Sequence, residues 1–92
     1  MDLDVRPALT RGIAELDEPG VLSAVRQGLA AGEDPMALIA AAEAGMRLVG
    51  EYYEKREYYL SGLIMAGEIF RQVLEIAKPA LESALAGHAQ GK

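Results

Sequence analysis

Residues 35–55 read PMALIAAAEAGMRLVGEYYEK. Ile39, Ala42, Met46, Val49 and Tyr53 recur at alternating intervals of three and four, and Leu38, Ala41, Gly45, Leu48 and Tyr52 make a second such row beside it. That spacing is the helical period, and β-branched residues are too sparse for a strand. Asp34 stands where its carboxylate can cap the free N–H groups, and Pro35 fits the first turn, where its missing N–H costs nothing. The segment therefore predicts one long helix. Its two adjacent apolar rows make a face wide enough to touch more than one neighbour.

The same design repeats downstream. A charged turn over Glu54–Glu57 leads to a fourth helix starting near Leu60. Leu60, Leu63, Gly67, Phe70, Leu74, Ala77 and Leu81 form one of its rows; Tyr59, Gly62, Ala66, Ile69, Val73 and Ile76 form the other. Pro79 should bend or end this helix, although the apolar rhythm continues to Leu85. Upstream, Asp17 and Pro19 open a helix over about Glu18–Ala31 with a stripe of Leu22, Val25 and Leu29, and Gly32 closes it. A first helix over about Pro7–Leu16 places Leu9, Ile13 and Leu16 on one face. The expected fold is all-α, an antiparallel four-helix bundle over 1–86, with 87–92 ("GHAQGK") as a linker.

Composition narrows the functions. A chain of 92 residues buries only about 60% of its unfolded surface. Much of its apolar content is alanine, with a single Phe and no Trp, so the core is light and a partner or ligand would help it. Without cysteine there is no disulfide and no thiolate metal site, which is consistent with a cytoplasmic location. The net charge of −5 and the lack of clustered Lys or Arg argue against nucleic acid. No uncharged run approaches the roughly 20 residues needed to cross a bilayer, and "MDLDVRP" does not read as a signal peptide. His88, the only histidine, lies in the tail. There is no Glu-x-x-His pair for a di-iron bundle site, no P-loop and no dinucleotide-binding glycine pattern. No residue is assigned a catalytic or metal-binding role, and the chain alone is not expected to be an enzyme.

All four tyrosines, Tyr52, Tyr53, Tyr58 and Tyr59, crowd the turn between the two long helices. They can simply end the apolar face, with hydroxyls reaching water. They can equally rim a shallow depression over Gly62, Ala66 and Gly67, open to a flat apolar ligand or a partner. Small residues of that kind also allow close helix packing, so the residues leave both readings open.

The run GMRLVGEYYEKREYYLSGLIMAGEIFRQVLEIAKPAL (residues 45–81) resembles the helical cap module of cobalamin-binding methyl carriers. These include cobalamin-dependent methionine synthase and the corrinoid proteins of methanol, methylamine and O-demethylase systems. The shared pattern is Gly45-Met46, Val49-Gly50, Tyr53, the charged turn, Tyr59-Leu60 and Pro79, and "LDEPGVLSAVRQGLAAGEDPMALIAAA" matches the family's preceding helix. The likeness covers about Leu9 to Leu85. It implies a cap that shields the upper face of a corrin ring and moves aside for methyl transfer. Tyr59, Ala66, Ile69 and Phe70 would contact the cofactor, with Gly62 and Leu63 lining the approach. Ser61 stands where the family has proline.

The resemblance also implies a following α/β cobalamin-binding domain with an Asp-x-His-x-x-Gly motif, absent from these residues, and His88 does not match its histidine. The chain then reads as the first part of a corrinoid protein that works with methyltransferase subunits, or else as a free-standing cap. Cobalamin (methylcobalamin) belongs to the parent, and this chain alone should bind it weakly or not at all. A cobalamin-linked sensor or scaffold, or a plain dimerising bundle, is the alternative. With two uncovered apolar rows, a homodimer burying Tyr59, Leu63, Ala66 and Ile69 is expected.

Overall fold

The computed structural model describes residues 4–89. It contains four helices, α1 (Arg6–Ala14), α2 (Glu18–Ala30), α3 (Pro35–Glu54) and α4 (Leu60–Ala89), and no strand among the described residues. Each helix packs on two others around a ring, α1 on α2 and α3, and α4 on α2 and α3, while the diagonal pairs barely touch. α4 has 30 residues, about 45 Å at 1.5 Å per residue, and so sets the 50 Å long axis. Pro79 does not end it. Pro79 and Glu75 are both exposed, so water can solvate the Glu75 carbonyl that loses its N–H partner. α4 therefore carries helical backbone into the stretch expected as a linker; the side chain of His88 and residues 90–92 lie outside the described residues.

The helix starts are local events. The Asp17 carboxylate accepts the Gly20 N–H (3.2 Å) and Asp34 accepts the Met36 N–H (3.1 Å), each just before a proline in the first turn. At α1, Asp4 accepts the Arg6 N–H (3.0 Å) and pairs with its guanidinium. That guanidinium lowers the carboxyl pKa to about 2.

The ends are three copies of one device. α1, α2 and α3 each stop with a residue at positive φ: Leu16 (60°), Gly32 (85°) and Arg56 (64°). The next N–H then reaches back to a carbonyl of the last turn, from Asp17 to Gly12 (2.8 Å), Glu33 to Gly28 (3.0 Å) and Glu57 to Tyr52 (2.8 Å). Such closures satisfy orphan carbonyls and favour glycine at the left-handed position. Leu16 repays part of its strain by packing against the core, but Arg56 is exposed. A non-glycine there costs roughly 1–2 kcal/mol. Arg56→Gly should therefore stabilise the chain by about 0.5–1 kcal/mol after the extra unfolded-state entropy of glycine, read as a higher urea midpoint with an unchanged slope.

The core comprises Leu9 and Ile13 from α1, Val21, Ala24 and Val25 from α2, Leu38, Ala42 and Val49 from α3, and Ala66, Ile69 and Val73 from α4. α2 is rotated from the expected stripe: Val21, Ala24, Val25 and Gly28 face inward, while Leu22 and Leu29 sit half-buried at the rim. Gly28 sets that phase. A Cβ there would lie 2.9 Å from Val5 Cγ2 and 3.0 Å from Leu38 Cδ2. Those side chains occupy the space, so the helix turns its smallest residue to them.

Candidate functional site

The tyrosine cluster at the α3–α4 turn divides in two. The Tyr58 hydroxyl donates to the Ala14 carbonyl at the end of α1 (2.6 Å), across a sequence separation of 44 residues. Its ring meets the Tyr52 ring edge-on, centroids 5.2 Å apart at 64°. This pair pins the turn onto α1 and satisfies one of the last carbonyls of that helix, which have no partner within it. Desolvation raises the Tyr58 pKa, and the neighbouring Tyr52, Glu15 and Glu57 push the same way.

A raised pKa means that the folded chain holds the Tyr58 proton more tightly than the unfolded one. Its stabilising share is complete below the unfolded value, about pH 10, and is lost as pH rises through the higher folded value. Tyr58→Phe should cost about 0.5–1.5 kcal/mol at neutral pH. It should also flatten the alkaline limb of stability, measured by urea denaturation at pH 8, 9.5 and 11.

Tyr53 and Tyr59 turn outward. Tyr59 is 83% exposed and Tyr53 42%. With Glu54, Arg56, Tyr58 and Leu60 they line a cleft of about 460 Å³ at the turn. From this cleft an apolar surface continues along α4. Leu60 and Ile64 are 59% and 66% exposed, and Leu63, Gly67 and Phe70 are half-buried along the same flank.

The six residues singled out from the sequence are thereby separated into two layers. Tyr59, Leu63 and Phe70 reach the surface. Gly62 is buried, with the Tyr58 ring 3.3 Å from where its Cβ would be. Ala66 (0% exposed) and Ile69 (1%) lie in the core. Helical phase sends Gly62, Ala66, Ile69 and Val73 to the other helices and leaves Leu63 and Phe70 half-buried on the flank, whereas Tyr59, although in the inward row, is exposed because it precedes the helix. The expected homodimer surface loses Ala66 and Ile69 for the same reason, since both are already covered within one chain. Sequence reasoning had not marked Leu60, Ile64, Tyr53 or Arg56 as site residues. The signal for the first two was present, an i,i+4 pair on the open side of Leu63.

The ion pairs of α4 continue the Leu60–Ile64 side of the helix further along, where Arg71 bridges Glu68 (2.6 Å) and Glu75 (2.5 Å) and holds the Glu68 carboxyl below its usual range, so charge bounds the apolar surface there. Among the described residues no three His, Cys, Asp or Glu side chains gather to hold a metal ion, and no helix is long and apolar enough to cross a membrane. The arrangement offers a broad apolar surface edged by the phenols of Tyr53 and Tyr59, the Arg56 guanidinium and the Glu54 carboxylate, a shape that can cover a flat ligand.

Comparison with known proteins gives the family of the chain. The family model described as "B12 binding domain" matches residues 5–78. Trimethylamine corrinoid protein 1 of Methanosarcina acetivorans is 35% identical over 71 residues, which is 76% of this chain and 33% of the relative. Monomethylamine corrinoid protein 1 of Methanosarcina mazei is 31% identical over 75 residues, 80% of this chain and 34% of the relative. The chain thus spans about a third of the length of the curated relatives it matches. No solved structure matches it.

Proposed function

The chain belongs to the B12 binding domain family, and from that premise we propose that it is the helical cap of a corrinoid methyl carrier, laid over the upper face of the ring. The observation that supports this best is the open face at the α3–α4 turn. A small chain leaves Tyr53, Tyr59, Leu60 and Ile64 in water, although burying each such side chain is worth roughly 1.5–3 kcal/mol. The residues fit the group. Tyr59, Leu60, Leu63, Ile64 and Phe70 present apolar area to a ring face, and Glu54 and Arg56 at the rim suit the amide groups that fringe a corrin. Gly62, Ala66 and Ile69 form the layer behind them and fix the orientation of that surface.

A bound corrinoid supplies a cobalt able to carry a methyl group. The chain's own part is to exclude water and competing nucleophiles from that centre, a task for apolar side chains without acid or base groups. Access for methyl donor and acceptor then requires the bundle to swing aside as a rigid body. The partners that follow from this reading are an α/β cobalamin-binding domain and methyltransferase subunits, with the cytoplasm as the setting. A second copy on the same face is expected when neither partner is present.

The test joins this chain to the corrin-holding half of a methylamine corrinoid relative, loads the protein with methylcobalamin and follows its photolysis. Tyr59→Ala should speed cleavage relative to the parent by opening the cover. Equal rates would count against the cap reading.

A further inference from the structure

Five of the helical glycines, all beyond the first turn, fall into two groups. A Cβ added at Gly12, Gly28 or Gly45 would come within 2.7, 2.9 or 2.6 Å of Val21, Val5 or Ile13. Those glycines are required by the chain's own packing. At Gly50 and Gly67 an added Cβ meets nothing within 4 Å. Both lie inside helices, at negative φ, where glycine is less favourable than alanine by about 0.8–1.0 kcal/mol. Among the described residues nothing packs at either site to offset that cost.

Their positions are related. Gly67 falls in the α4 row with Leu60, Leu63, Phe70 and Leu74, on the flank beside the open face. Gly50 lies one turn before the end of α3, between Met46 and Tyr53 at helical spacing. α3 and α4 are packed neighbours joined by the turn at Lys55–Tyr59, so the two helices run back along each other and both glycines stand near its end. Leu60 and Tyr53, which line the cleft at the turn, begin the same two rows. The two gaps in side-chain cover thus lie on the two helices that meet at the turn, Gly67 three residues beyond the exposed Ile64.

We infer that Gly50 and Gly67 are close-approach positions, where the ligand of this face comes against helix backbone and a side chain would hold it off. The inference rests on the cap reading, which supplies the corrin ring as that ligand; the glycines determine how deeply it seats. A rigid flat plate cannot bend around a protruding methyl or isobutyl group, so the face must be lowered where the plate lies closest. This explains why poor helix formers occupy two positions that the bundle itself leaves free.

The experiment uses the isolated chain and methylcobalamin. Gly50→Ala and Gly67→Ala should each raise its melting temperature by about 4–8 °C, because the methyl group enters open space. Amide NMR shifts on titration to millimolar methylcobalamin should appear along Met46–Tyr53 and Leu60–Leu74. Gly67→Leu should weaken them at least tenfold, while Ala40→Leu, an exposed position outside these two rows, should leave them unchanged. A lower melting temperature for either alanine variant would show that the chain's own packing needs the glycine, and the inference would be overturned. Equal affinity in Gly67→Leu would overturn the inference and leave the cap reading standing. The absence of shifts in the unmodified chain would overturn the inference, while the cap reading is decided separately by the photolysis of the joined, cobalamin-loaded protein.

Discussion

Ile69→Ala should cost the folded chain about 2–5 kcal/mol, whereas Tyr59→Ala should change its stability by no more than about 0.5 kcal/mol. Both are large side chains on one predicted row, and the resemblance would give both a contact with the cofactor. Ile69 is 1% exposed and belongs to the cluster that joins all four helices, so its truncation leaves a cavity among Val73, Ala66 and their neighbours. Tyr59 is 83% exposed, makes no side-chain hydrogen bond among the described residues and precedes the helix. A domain of this size has a total stability of only some 5–14 kcal/mol, so the loss at Ile69 would remove a large share of it. Urea denaturation of both variants decides the matter. If Ile69→Ala stayed within 1 kcal/mol of the parent chain, Ile69 would be a surface residue and the two-layer description of the site would fail.

The division between Tyr59 and Ile69 marks what a sequence can and cannot convey. Helix starts were legible because Asp17 and Asp34 act on N–H groups two or three residues away. The stop at Gly32 was legible for the same reason. The ends near Leu16 and Lys55 were legible within two residues, but the positive φ at Leu16 and Arg56 was not, since these residues have no preference for it and take it only because the backbone closure holds them there. Phase was half legible. Two apolar rows on α4 declared a wide face, but which row turns inward depends on α2 and α3, and the phase of α2 depends on Val5 and Leu38, distant in sequence, which fill the space over Gly28. The role of Tyr58 was beyond reach, because its partner is a carbonyl on α1 and any of four tyrosines could have supplied the hydroxyl. A contact of that kind is chosen by the assembled bundle, not by neighbours in the chain.

The crossing of α1 and α3 is where a single added methyl should do most damage. At Gly45 an ideal Cβ lies 2.6 Å from the Thr10 carbonyl oxygen and 2.6 Å from Ile13 Cβ. Neither is the free end of a flexible side chain. The approach also lets the Thr10 hydroxyl donate to the Ala41 carbonyl at 2.7 Å, the same carbonyl that helix geometry pairs with the Gly45 N–H. Gly45→Ala gains about 1 kcal/mol of helix propensity, yet it must push α1 outward and loosen that hydrogen bond. Overpacking of a closed core costs roughly 1–3 kcal/mol and sometimes more, so the variant should be clearly destabilised, opposite in sign to Gly50→Ala one helix face away. The obstruction is partly backbone, which makes the effect resistant to repair. Combining Gly45→Ala with Ile13→Ala removes the isoleucine branches but leaves Ile13 Cβ and the Thr10 carbonyl in place, and it opens a cavity at a fully buried position. The double variant should therefore be less stable than either single one by urea denaturation. Recovery of stability in the double variant would mean that only the Ile13 side chain opposes the methyl group, and that α1 and α3 are not held together at backbone contact.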